Sequence, residues 1–158
     1  MILYRDWAKS AAENATQLAI ESRLLERHGH MPRAYYLCHM SIEESSKSLL
    51  LSASFQSGVQ ASQLSKIMAL LRDHKKKISF VVQLARDTSS VLAESLKGKE
   101  AELVGHMNNL KNDTMYVSAS ADGGVTTPEQ KVNSVQVKDH IQFAERMAEL
   151  AKAMSAVC

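Results

Sequence analysis

Two glutamates and a lysine lie within one short segment of the chain, at Glu43, Glu44 and Lys47. If the segment is helical, Glu43 and Lys47 are one turn apart on the same face and can form an ion pair. That face also carries Tyr36 and Met40, and an ionised group in an apolar stripe is costly unless it is paired or hydrogen-bonded. The spacing predicts either a buried, paired site or a partly exposed pair worth about 0.3–0.5 kcal/mol.

A histidine follows in the segment RDHKKKI, where helical spacing places His74 on an apolar face near the start of a helix. Lys77 lies at the edge of the same face. Most histidines in such positions are core residues whose ring nitrogens are satisfied. The alternative is catalysis, in which His74 is a general acid or base and Lys77 or Arg72 stabilises the charge of a phosphorane.

We expect Glu43, Lys47 and His74 to come together, with Tyr116 from a long loop closing over them. The candidate catalytic residues are Glu43, Lys47, His74 and Lys77, and the candidate binding residues are Glu44, Arg72, Asp113 and Tyr116. The sequence alone fixes no pair of these residues in space. It contains no Walker loop, no HExxH motif and no cysteine spacing typical of zinc, so we expect neither a metal nor a cofactor.

The element that carries Glu43 is the best-defined helix of the sequence. Pro32 suits its first turn, Gly29 can end the preceding helix, and Gly58 can end this one. The apolar residues of this helix fall on two faces, which predicts a central helix packed on both sides. The second apolar face is also an argument for a homodimer.

The composition favours an all-α fold. The chain has 158 residues, of which 45% are hydrophobic and 5% aromatic, with six glycines and two prolines. Its length fits a single domain spanning residues 1–158. Asp6 is the predicted N-cap of the first helix. We predict long helices at about 7–28, 32–55, 73–96 and 135–155, and shorter helices at about 62–71 and 100–109.

The segment DTMYVSASADGGVTTP, which begins at Asp113, interrupts the helical pattern. Tyr116 favours extended structure and DGG is a turn signal, so we predict an ordered loop or a small hairpin. Thr127 and Gln130 have the spacing of a capping box, which predicts a helical turn directly after the loop.

Charge and cysteine content limit the function classes. A net charge of +2 does not demand a nucleic-acid partner, although a local basic patch could still serve one. Cys38 on the central helix and Cys158 fit a reduced setting. The N-terminal sequence has no signal-like apolar region, and no run of about 18 apolar residues exists. We expect a cytoplasmic protein that does not span a membrane.

The chain resembles the abortive-infection protein V (AbiV) family of the HEPN superfamily in the order of four segments: PRAYYLCHMSIEESSKSLLL, DHKKKI, LKNDTMYV and DGGVTTP. Together with the first helix, these segments cover nearly the whole chain. The resemblance implies an antiparallel helical bundle with additional short helices and one long loop, commonly a homodimer. It also implies bacterial defence against phage by arrest of the infected cell.

The resemblance leaves alternative functions. One is to bind and block a phage or host process such as translation, through contacts with protein or RNA. Another is a toxin ribonuclease that needs no metal, because many HEPN proteins cleave RNA with an R-x(4–6)-H motif. A third is a helical interaction module without toxicity. The motif spacing occurs at Arg23–His28, Arg23–His30 and Arg33–His39. Arg23 and His28 lie at the end of the first helix, whereas the superfamily carries its motif in a later one, so we favour binding over cleavage.

Overall fold

The computed structural model of this chain describes residues 2–58, 63–88, 100–119 and 121–157. Its helices are α1 (Ile2–Arg27), α2 (Met31–Gln56), α3 (Leu64–Arg72), α4 (His74–Thr88), α5 (Glu100–Asp113), α6 (Pro128–Lys131) and α7 (Ser134–Ala156). Its strands, β1 (Ser118–Ala119) and β2 (Val125–Thr126), pair antiparallel in a hairpin. The all-α prediction is confirmed.

Small residues let α1 and α2 approach each other closely. The Ser48 hydroxyl donates a hydrogen bond to the Ala8 carbonyl at 2.8 Å, and the Ser41 hydroxyl donates to the Ala15 carbonyl at 2.7 Å. All four residues are buried. The earlier residue of α1, Ala8, bonds to the later residue of α2, Ser48, and the later Ala15 bonds to the earlier Ser41. The two helices are therefore antiparallel neighbours.

The turn between these helices depends on Gly29. Its φ of 81° lies in the left-handed region that favours glycine, and the chain there reverses after α1. The backbone N–H of His30 bonds back to the Leu25 carbonyl at 2.9 Å, which closes the end of α1. Pro32 then lies in the first turn of α2, as predicted.

The second helix is the central one. It packs against α1 and α7 and also against α4 and α5. Fully buried residues of α2, among them Tyr35, Ile42 and Leu49, form the main core with residues of these neighbours. The apolar faces of α2 are therefore covered largely within one chain, so they give no independent argument for a dimer.

The first and fifth helices differ from their predicted bounds by four or five residues, and the fourth begins within one residue of its predicted start. Asp6 is not an N-cap, because α1 begins at Ile2 and Tyr4 packs beside Leu51 and Ile67 in a second buried cluster. The fourth helix begins at His74, after Asp73, whose carboxylate accepts a hydrogen bond from the Lys76 backbone N–H at 3.0 Å. Its predicted extension to residue 96 falls outside the described residues. The fifth helix runs to Asp113, four residues further than predicted.

The long loop is the predicted hairpin. Ser118 pairs with Thr126 and Ala119 with Val125. The Thr127 backbone N–H donates to Gln130 Oε1 at 2.8 Å, as the predicted capping box requires. The loop ends in α6, which contacts both α2 and α5.

Candidate functional site

A buried carboxylate, that of Glu43, lies where α2, α4 and α5 meet. The Glu43 side chain is 1% exposed. Its Oε2 accepts hydrogen bonds from His74 Nδ1 at 2.5 Å and from Lys77 Nζ at 2.9 Å, both on α4. Its Oε1 accepts a hydrogen bond from Lys111 Nζ on α5 at 3.2 Å and lies 3.2 Å from His39 Nε2 on α2. We call these five residues the Glu43 cluster.

The cluster holds Glu43 in its ionised form. Burial by itself raises the pKa of the Glu43 carboxyl, but the neighbouring groups of His39, Lys77 and His74 outweigh it, and the pKa is held well below its usual range. Two ammonium groups, those of Lys77 and Lys111, face this one carboxylate. The cluster therefore has an excess of positive charge even when both histidines are neutral.

The ionised carboxylate fixes the orientation and tautomer of His74. Since a carboxylate can only accept hydrogen bonds, Nδ1 of His74 must carry the hydrogen of the bond to Glu43. In a neutral ring this leaves Nε2 as a free acceptor. The His74 side chain is 53% exposed, whereas Glu43 is buried. A buried carboxylate thus orients a half-exposed histidine through Nδ1, an arrangement suited to general base catalysis by Nε2.

A second histidine lies behind the site. His39 is fully buried, and burial lowers its pKa although Glu43 lies beside it. Its ring is stacked with that of Tyr35 at a centroid distance of 6.4 Å. Its Nε2 is close to Glu43 but not well aligned for a hydrogen bond, and Nδ1 has no hydrogen-bond partner among the described residues. The lowered pKa favours the neutral form of His39, and its buried ring packs beside the carboxylate.

The structure brings together three of the predicted catalytic residues, Glu43, His74 and Lys77. It does not bring Lys47 to Glu43, and that predicted pair is wrong: the Lys47 ammonium bonds to Glu44, one turn away on α2. The reason is that Lys77 and Lys111 already occupy the Glu43 oxygens.

The predicted binding residues lie around the cluster rather than in it. Tyr116 is 65% exposed, and in the part of the chain that the structure describes it makes no hydrogen bond to Glu43 or His74. It therefore does not close over the site as expected. Asp113 accepts a hydrogen bond from Lys131 Nζ at 3.2 Å. Arg72 is exposed at the end of α3, two residues before His74.

Sequence reasoning missed two members of the cluster. Lys111 belongs to the LKN segment, but nothing local connects it to a glutamate 68 positions earlier. His39 could have been found, because it precedes Glu43 by one helical turn. Of the R-x(4–6)-H matches, Arg23 instead binds Glu145 through two hydrogen bonds of 2.9 and 2.7 Å.

Within residues 2–58, 63–88, 100–119 and 121–157, neither a metal site nor a membrane span is found. No group of three or more histidine, cysteine, aspartate or glutamate side chains in these ranges is arranged to hold a metal ion. No helix in them has the length and apolar content needed to cross a membrane.

Comparison with known proteins places the chain in a family. The model of the AbiV family, a HEPN family, matches residues 3–149. Neither the curated proteins nor the solved structures contain a match. The helical fold agrees with a HEPN-like bundle. The chain therefore belongs to the AbiV family of the HEPN superfamily, whose members are abortive-infection proteins of antiphage defence.

Proposed function

We propose that this protein carries out antiphage defence by cleaving RNA, with His74 as the general base. The observation that carries the proposal is the hydrogen bond that Nδ1 of the half-exposed His74 ring donates to the buried Glu43 carboxylate. In the neutral ring this bond leaves Nε2 of His74 as the proton acceptor. The excess positive charge of the Glu43 cluster would attract a phosphodiester to the same place.

The proposed step is an internal transesterification. Nε2 of His74 takes the proton of a ribose 2′-hydroxyl, and the 2′-oxygen attacks the adjacent phosphorus. The bond from phosphorus to the 5′-oxygen breaks, and the imidazolium returns a proton to that oxygen, directly or through water. The products are a 2′,3′-cyclic phosphate and a free 5′-hydroxyl. Glu43 is a positioning residue in this scheme: it holds the ring and stabilises the imidazolium.

Purified protein and labelled single-stranded RNA, incubated with a metal chelator, test the proposal. We expect products that end in a 2′,3′-cyclic phosphate, and a loss of about 10²–10⁴-fold in rate for His74→Ala. Glu44→Ala is the matched control, because Glu44 is the adjacent carboxylate and binds Lys47 instead. Intact RNA with the wild-type protein, or equal cleavage by His74→Ala, would contradict the proposal.

The second candidate is binding and blocking a phage or host process such as translation. It is favoured by the position of Lys77, which is 5% exposed and bonded to Glu43. The cleavage mechanism considered from the sequence needs Lys77 to contact a phosphate. A Lys77 ammonium that is buried and bonded to Glu43 is not placed to do so. RNA that is bound by the protein and recovered intact, in cells that remain protected from phage, would favour this candidate.

A further inference from the structure

A surface cavity of about 400 Å³ lies at the start of α2, and none of the residues that line it belongs to the Glu43 cluster. Its lining comes from the end of α1, the start of α2 and the turn after α5. The lining residues are Leu25, Arg33, Tyr36, Leu37, Thr114 and Met115. We call it the Tyr36 cavity.

The cavity and the Glu43 cluster share two elements, α2 and the end of α5. Along α2, Tyr36 precedes Glu43 by seven residues, which is two helical turns or about 10 Å. On α5, Lys111 contacts Glu43, and the cavity residues Thr114 and Met115 follow three and four positions later, in the turn after this helix. The Thr114 hydroxyl donates to the Lys111 carbonyl at 2.7 Å and ties this turn to the helix that carries the cluster. The same two elements thus border both the cavity and the site.

The chemistry of the lining suits a nucleobase and its phosphate. Tyr36 is half-buried and offers an aromatic ring, and Leu25 and Leu37 add apolar walls. Arg33 at the rim is exposed, and a guanidinium binds phosphate through paired hydrogen bonds. Single-stranded nucleic acids are bound in this way, with bases stacked on aromatic side chains and the backbone held by cations.

We propose that the Tyr36 cavity is a base-binding subsite for single-stranded RNA, next to the phosphodiester that His74 acts on. The base lies against the Tyr36 ring, and Arg33 contacts the phosphate of that nucleotide. The inference rests on the proposed function, because it takes the ligand of the Glu43 cluster to be RNA. It goes further by naming single-stranded RNA as the substrate form and two residues as its binding contacts.

The test uses the wild-type protein and a fluorescent 2′-O-methyl RNA, which lacks the hydroxyl needed for cleavage, with affinity measured by anisotropy. We expect Tyr36→Ala to weaken binding about 5- to 150-fold, the range for loss of one stacked base. Tyr36→Phe keeps the ring and should bind within about 2-fold of the wild type.

Arg33→Ala provides a second readout that does not depend on packing, because Arg33 is exposed. The slope of log affinity against log salt should become shallower by about 0.7, the value for one phosphate contact on a single strand. Arg5→Ala is the matched control: Arg5 is an exposed arginine on α1, twenty residues or about 30 Å before Leu25. It should leave the salt slope unchanged.

The outcomes separate this inference from the proposed function. If the wild type binds and cleaves RNA but Tyr36→Ala and Arg33→Ala bind as the wild type does, the subsite is wrong and the role of His74 stands. If Arg5→Ala lowers the slope as much as Arg33→Ala, the contact is diffuse charge attraction and the subsite is also wrong. If the wild type binds no RNA, both proposals fail.

Discussion

Removal of the Glu43 carboxylate should cost far more stability than removal of its neighbour. Glu43→Ala leaves two ammonium groups without their counter-ion, and the Lys77 side chain is 6% exposed while that of Lys111 is 13% exposed. Breaking a buried ion pair on one side costs about 3–5 kcal/mol. For a domain of this size that corresponds to a fall in Tm of about 6–20 °C.

The matched control is Glu44→Ala. Glu44 is the next residue on α2, and it pairs with Lys47 one turn along the same helix, the two side chains being 14% and 20% exposed. Because Glu44→Ala removes one cation contact where Glu43→Ala removes two, we expect a smaller cost of about 1 kcal/mol, the upper end of the range for exposed pairs. Urea unfolding followed by far-UV circular dichroism measures both variants.

A further variant separates the burial of charge from the loss of contacts. Glu43→Ala combined with Lys77→Met should be more stable than Glu43→Ala alone, because one of the two uncompensated ammonium groups, the more buried one, is gone. A Glu43→Ala protein that unfolds within about 1 kcal/mol of the wild type would refute the reasoning. The carboxylate would then be solvated, and its hold on His74 would be weak.

Three other predictions concern pH, an ion pair and assembly. Burial lowers the pKa of His39, so its contribution to stability is complete above about pH 6.5 and falls as the pH drops below that value. Between about pH 7.5 and about pH 5.5, the free energy of unfolding measured in urea should therefore fall less for His39→Asn than for the wild type. Arg23→Lys cannot keep both hydrogen bonds to Glu145 and should cost about 1 kcal/mol in the same assay. The homodimer predicted from the sequence should be seen by light scattering at micromolar concentration, and Leu24→Glu, at an apolar residue 55% exposed on α1, should weaken it; a monomeric wild type would contradict this.

The sequence predicted helices well where packing and local signals agree. Gly29, Pro32 and the Thr127 capping box stand at the predicted boundaries because each acts on its own backbone. Asp6 failed as a boundary because burial of Tyr4 against Leu51 favours a longer first helix. A local cap contributes about 1 kcal/mol, which tertiary packing can outweigh.

The site was predicted only in part, because local spacing does not show which contacts come from other helices. Helical spacing correctly placed Glu43 among apolar residues, and His74 and Lys77 on one helix, but it suggested Lys47 as the partner of Glu43. Cations from other helices replaced that local partner, and Lys111 is far from Glu43 in the sequence. An exposed pair one turn apart is worth only a few tenths of a kcal/mol, so distant contacts decide which cation the carboxylate binds.

Phage protection by His74→Ala tests the central claim most directly. The ring is 53% exposed, so the substitution should leave the Tm within a few degrees of the wild type. Plaque counts of a phage that the wild-type protein restricts should rise to the level of cells without the protein, while Glu44→Ala cells stay protected. A folded His74→Ala protein that protects as well as the wild type would contradict the account and remove His74 from the mechanism.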